Sequence, residues 1–278
     1  MQSNNPVFRR SEEFNTAGAP RQSGYSDPST WGTGTPGQPG TQTPVATGGP
    51  MTIDSVVQKT AIALGVVMLT AAATWILSPS IDADTTTPAD ISGLIAAATI
   101  GSLLAFVLSM VNSFKRVISP ALVLLFCAAE GVALGGISKV FELAYPGIVT
   151  SAVIGTFGAF AGTLAVYKFF NIKVTDKFRR MVVAAMLGVV AISLIEVVLS
   201  LFGAELGLFG MGGLGLVFAI VGLALGVFML VLDFDFVEQG VANGIPDREG
   251  WRAAFAMTVS LVWIYTNLLR ILAIMRGD

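Results

Sequence analysis

From Val56 to Met275 the chain repeats one pattern, an apolar stretch of about 20 residues followed by a short polar connection, and that is the length needed to cross a ~30 Å hydrocarbon core. The stretches fall near 58–78, 90–112, 119–138, 147–169, 181–203, 212–233 and 252–275. Backbone in hydrocarbon must satisfy its own hydrogen bonds, so a spanning segment is either a helix or a strand of a closed barrel. The runs lack the alternation of barrel strands. The expected fold class is therefore an all-α membrane protein with seven transmembrane helices, occupying 51–278.

Charge placement orients these spans. Lys59, the pair Lys115 and Arg116, the group Lys168, Lys173, Lys177, Arg179 and Arg180, and the pair Arg248 and Arg252 all fall on one side of a seven-crossing layout. The other side has Lys139, Arg270 and Arg276. Basic loops stay in the cytoplasm. The expectation is a multi-pass protein of the plasma (cell) membrane with its N-terminus cytoplasmic and its C-terminus outside. The terminal arginines would satisfy the rule better if the last segment turned back inside.

Residues 1–50 differ from the rest. They are rich in Gly, Pro, Ser, Thr and Gln, with no apolar run of signal-peptide type, and read as a disordered polar tail. The whole chain is 54% hydrophobic and 12% charged, about half the charge of a soluble domain. Its net charge of −2 gives no basic face for nucleic acid. Without histidine there is no His-ligated zinc or His-based triad, and the single Cys127 permits no internal disulfide. No metal site or cofactor is read here.

Few motifs survive their context. Gly210 to Gly215 fits G-x-G-x-x-G, but no strand precedes it and a span follows, so it reads as a loop and a helix start. A Gly-x-Ser-x-Gly elbow is absent, as is the Gly-x-Gly-Asp setting of an intramembrane aspartyl protease. Asp82, Asp84 and Asp90 make an acidic loop that reads as a solvated turn. Gly131 with Gly135, Gly155 with Gly158 and Gly162, and Gly222 with Gly226 have the spacing that lets helices approach closely.

The residues that carry a functional reading are acids. Asp233 lies where the sixth apolar run gives way to Phe234-Asp235-Phe236-Val237-Glu238, which puts it at the inner rim. Glu130 lies about 11 residues into its span, roughly 16 Å deep, and Glu196 about 15 residues into its own, roughly 22 Å deep. An ionisable group at membrane depth is costly and marks an ion pathway or a buried partner. For Glu196 a hydrogen-bonded structural role is the expectation, while Glu130 and Asp233 leave both roles open.

At Glu130-Gly131-Val132-Ala133-Leu134-Gly135-Gly136-Ile137-Ser138, the small-residue-rich fourth span ending in Tyr167, Leu232-Asp233-Phe234 and Leu268-Leu269-Arg270-Ile271-Leu272, the chain resembles the Bax inhibitor-1 (transmembrane Bax inhibitor motif) family with its YccA-like members. The polar tail and the Asp233-Phe234-Asp235-Phe236 form are similar to its actinobacterial-type members. The resemblance implies seven helices with the last one central in the bundle, and a calcium leak gated by pH. It also implies that an aspartate closing helix six pairs with one in helix seven, aided by an arginine in helix two. Asp233 matches the first aspartate. Counting back from Leu268-Leu269-Arg270, the second falls at Ser260, and the second span has no arginine. The two-carboxyl latch is thus incomplete, with Asp235 or Glu238 as the candidate stand-in.

Two functions follow, neither of them an enzyme. One is a cation leak channel or transporter, with calcium as the transported ion rather than a cofactor, and Asp233, Glu130, Asp235, Ser260 and Glu196 along its pathway. The other is a non-conducting regulator that binds membrane-protein partners, such as a protease or stress-response protein. In both the lipid bilayer is the surroundings. The charge asymmetry makes a first prediction: a cysteine placed at Gly277 is labelled by a membrane-impermeant maleimide from outside, and labelling only from the cytoplasm would overturn the seven-crossing layout.

Overall fold

The computed structural model describes residues 49–79, 88–170 and 173–277. Residues 1–48 of the polar tail lie outside the described residues, as do Asp82, Asp84 and the side chain of Asp90. Among the described residues there are seven long apolar helices: α1 (Ile53–Leu77), α2 (Pro88–Phe114), α3 (Pro120–Ala144), α4 (Ile148–Phe169), α5 (Asp176–Leu201), α6 (Gly213–Ala242) and α7 (Gly250–Gly277). A 3-10 turn over Asp247–Glu249 leads into α7. At ~1.5 Å per residue the 28 residues of α7 span about 42 Å, so it crosses rather than re-enters. The bundle is all helical, as the apolar pattern predicts.

The helices alternate in direction, which gives the bundle two faces. The N-face is where α1 begins, and the C-face is where α1 ends. Local sequence marks these ends. Thr52 caps α1 and Thr175 caps α5 through their side chains, and Pro120 occupies the first turn of α3. Gly244, at φ 62°, takes the left-handed turn beyond α6.

Helix α7 is the central element. It packs against α1, α3, α4 and α6, while α2 leans on α3 and α5 on α6 as outer helices. The large apolar side chains of the outer surface, among them Leu69, Ile100, Leu187, Leu194 and Val217, are exposed and form the lipid-facing belt.

Glycines set the closest approaches. A Cβ at Gly131 would collide with the Thr70 hydroxyl and the Val67 carbonyl of α1, and one at Gly135 would lie 2.6 Å from the Ala71 carbonyl. On α6, a Cβ at Gly222 would stand 2.5 Å from Asn267 Oδ1 and one at Gly226 2.8 Å from Ile264 of α7. These two pairs are contact points of α3 with α1 and of α6 with α7. The third group behaves differently: Gly155 comes near Leu268, but Gly158 and Gly162 are exposed and face open space.

Two helices outrun their apolar stretches. The sixth ends at Ala242, not at Asp233, because Asp235 and Glu238 find partners on neighbouring helices while Phe234, Phe236 and Val237 stay buried. The third ends at Ala144 and so contains Lys139, which sequence places in a loop. Its ammonium donates to the carbonyls of Trp75, Ser78 and Pro79 and to the Ser78 hydroxyl at 2.7–3.1 Å, closing the C-terminus of α1. The folded region also starts slightly earlier than expected. Met51 N–H donates to the Ile245 carbonyl at 2.7 Å and Asp247 N–H to the Gly49 carbonyl, so Gly49 and Pro50 belong to the bundle and not to the tail.

The close contacts yield a second prediction. Gly135→Val forces α3 off α1 and costs about 1–3 kcal/mol, read as a lower unfolding temperature in detergent. Gly158→Ala, on the open face of α4, leaves that temperature unchanged.

Candidate functional site

Asp233 sits inside α6 rather than at its end. It is nine residues before Ala242, and Ser260 is ten residues after Gly250, so both lie about 14–15 Å from the N-face ends of their helices. The α6–α7 packing brings them together: the Ser260 hydroxyl donates to Asp233 Oδ2 at 2.6 Å, with Asp233 4% and Ser260 0% exposed. The position that the resemblance assigns to a second acid is thus in contact with Asp233 and offers it a hydroxyl. The rim placement expected for Asp233 is corrected to the bundle interior, because the helix runs on past it.

Aromatic rings close the α4 side of this contact. Phe234, the next residue, stacks edge-on against Phe160 at 5.6 Å and tilted against Tyr167 at 5.9 Å. The register of α6 and α7 on either side of the pair is fixed by Trp263, whose indole N–H donates to the Gly222 carbonyl at 2.7 Å, and by Met257 and Leu230 in the same apolar cluster.

The neighbouring acids do not turn toward Asp233. Asp235 pairs with Arg179 of α5 at 2.7 Å and accepts from Gln239 one turn on at 2.7 Å. Glu238 accepts the Tyr167 hydroxyl of α4 at 2.5 Å. Both hold α6 to its neighbours near the N-face, so neither stands in for the missing carboxyl. Glu196, near the C-face end of α5, accepts from the backbone N–H groups of Leu206, Gly207 and Leu208 at 2.9–3.2 Å. It organises the α5–α6 loop, whose Leu208 carbonyl also receives the Arg270 guanidinium at 2.7 Å. Glu130 is half-buried on α3, on the stripe that carries Phe126 and Leu134, and no hydrogen bond joins it to another described residue. Among the described residues no three carboxyl or thiol groups converge on a metal position.

Sequence reasoning missed the polar lock at the N-face. Arg252 and Glu249 form an ion pair at 2.7 Å with side chains 0% and 1% exposed, and Arg252 also donates to the Arg116 carbonyl at 3.0 Å. Arg248 donates to the Ile118 carbonyl, and Lys59 pairs with Asp247 at 2.7 Å. Together they tie the start of α1, the α2–α3 connection and the entry to α7. The opposite charges three residues apart, at the start of an apolar run, were the available signal.

A bundle of seven membrane-length helices whose seventh is central, with an acid locked between the last two, defines a multi-pass membrane protein. The model of the Bax inhibitor 1 like family matches residues 5–277, and the chain belongs to that family. No curated protein matches it significantly.

The N-face lock supplies a third prediction. Glu249→Ala removes the carboxylate paired with the buried Arg252 charge and destabilises the protein by about 3–5 kcal/mol, measured by thermal unfolding in detergent. Glu205→Ala, on the exposed α5–α6 loop, serves as the neutral comparison.

Proposed function

We propose that the protein is a cation leak pathway for calcium across the plasma membrane, held shut by the contact between Asp233 and Ser260. The observation that carries this reading is an acid buried about a third of the way into the bundle from the N-face, whose bonded partner is a hydroxyl and not a cation. Acids kept at that depth without a paired cation serve proton and cation traffic. Glu130, which has no hydrogen-bond partner among the described residues, is the second acid of the pathway. The N-face, which gathers the basic residues from Lys59 to Arg252, is cytoplasmic by the same charge rule used above.

The hydroxyl also bears on pH. Two carboxyls at hydrogen-bond distance hold a proton between them and repel each other once it leaves. A serine hydroxyl carries its hydrogen throughout the neutral range, so this pair has one titrating group instead of two and no second charge to repel the first. The rival reading, a non-conducting regulator, draws on Gly158 and Gly162: four residues apart, exposed, and shaped for a helix of another membrane protein.

Calcium flux into liposomes containing only the purified protein separates the two. On the leak reading, wild type conducts with a shallower response between pH 6 and 8 than the Ser260→Asp variant, which has two carboxyls. Asp233→Asn reduces flux at least tenfold, and Ser260→Ala raises it. Ser260→Asp makes flux climb with pH across that window. Steep gating of wild type near neutral pH with no effect of Asp233→Asn would remove Asp233 as the gate, and no flux under any condition would favour the regulator.

A further inference from the structure

Helices α1 and α4 flank α7 without packing on each other, and the gap between them is a cavity of about 500 Å³. The volume falls in the ~300–1,000 Å³ range of small-molecule sites. Its inner end is at Leu64 and Leu134, and its outer end at Trp75, so along α1 it extends about 16 Å. Met68, Ile76 and Phe157 line it and are also exposed on the lipid-facing surface, so the mouth opens sideways into hydrocarbon. It lies on the face of α7 that carries Leu261 and Tyr265, away from the face where Ser260 meets Asp233.

The mostly apolar wall carries a few polar groups: Thr150, Thr156, whose hydroxyl donates to the Ala152 carbonyl, Glu142, whose carboxylate accepts the Gly147 and Val149 amides, and a pair of hydroxyls. Ser138 of α3 and Tyr265 of α7 join their hydroxyls at 2.6 Å, with the residues 5% and 8% exposed. Two hydroxyls bring two hydrogens, and their mutual bond uses one. Neither has another hydrogen-bond partner among the described residues, so one donor is left over, and both residues line the cavity. A buried donor without an acceptor is costly. Ser138 precedes Lys139, whose ammonium holds the end of α1 beside Trp75. That is the level at which tryptophan belts meet the headgroup region.

We propose that this cavity holds an acyl chain of a membrane glycerolipid, its ester carbonyl accepting the remaining hydroxyl hydrogen of the Ser138–Tyr265 pair. The apolar length takes the chain inward to Leu64 and Leu134, the lateral mouth admits it from the bilayer, and the hydroxyl pair stands on the cavity wall below the Trp75 level, so the ester end is drawn in from the headgroup region. The site shares no residue with the Asp233 contact, so its occupancy is tested without any measurement of ion flux.

The test uses the full chain in phosphatidylcholine liposomes containing a phosphatidylcholine with a diazirine on one acyl chain, with photolabelled residues mapped by mass spectrometry. Label is expected on the buried wall residues Leu134 and Leu261 as well as on exposed Leu69. Val153→Trp, which fills the cavity from α4, should cut the deep label at least fivefold and leave Leu69 unchanged. Tyr265→Phe removes one oxygen without altering shape and should lower deep labelling about fivefold at limiting probe. It keeps the proposal testable if the tryptophan variant unfolds. Deep label no greater than at buried Leu230, which lies outside the cavity, overturns the proposal. So does deep label unaffected by Tyr265→Phe. A dimer cross-linked through the α1–α4 mouth, with no deep lipid label, would assign the gap to a second copy of the chain and overturn it as well.

Discussion

A polar side chain inside hydrocarbon cannot turn to water, and the placement of partners for such groups organises this bundle. The Arg252–Glu249 pair closes the N-face, Lys139 closes the end of α1, Glu196 gathers three amides of the α5–α6 loop, and Ser260 meets Asp233 between the last two helices. The Lys139 and Ser260 contacts, and the Arg252 bond to the Arg116 carbonyl, join elements distant in sequence. With little hydrophobic drive between helices that sit in lipid, such bonds and the backbone approaches at glycine hold the bundle together. The glycines of α3 do this on two sides, Gly131 and Gly135 toward α1 and Gly136 toward α2. That makes α3, with α7, one of the two most enclosed helices.

The number and rough position of the helices were legible because bilayer thickness dictates segment length. Helix ends were not. Hydropathy stops at Leu232, yet α6 runs to Ala242 because Arg179, Gln239 and Tyr167 receive its acids, and those partners lie on other helices or a turn further on. Lys139 was hidden for the same reason, since the carbonyls it binds come from α1. Glycine spacing identified contact pairs on α3 and α6 but also marked Gly158 and Gly162, which face open space; spacing reveals a small-residue stripe without telling whether a helix covers it.

The candidate site was legible in part. Asp233 stands out as an acid within an apolar run, and the count that led to Ser260 came from the resemblance, not from any property of serine. The 2.6 Å bond between them is a product of α6–α7 register, which periodicity does not supply. The hydroxyl pair Ser138–Tyr265 had no signal at all: each is an ordinary residue of an apolar helix until α3 and α7 are packed.

On the leak reading, a hydroxyl in place of a carboxyl changes what can open the pathway. A carboxyl pair is released by losing a proton, a local event that leaves helix packing in place until charges repel. The Ser260–Asp233 bond has no second carboxyl to repel the first, so separating the two requires α6 and α7 to move apart or slide. Sliding is opposed where Gly222 and Gly226 let Asn267 and Ile264 sit against the α6 backbone, and where the Trp263 indole is bonded to the Gly222 carbonyl. The same helix has its other face on the α1–α4 cavity, through Leu261 and Tyr265. Whatever displaces α7 must therefore act on both faces of one rigid element, and the packing around the central helix limits how the Asp233 contact opens.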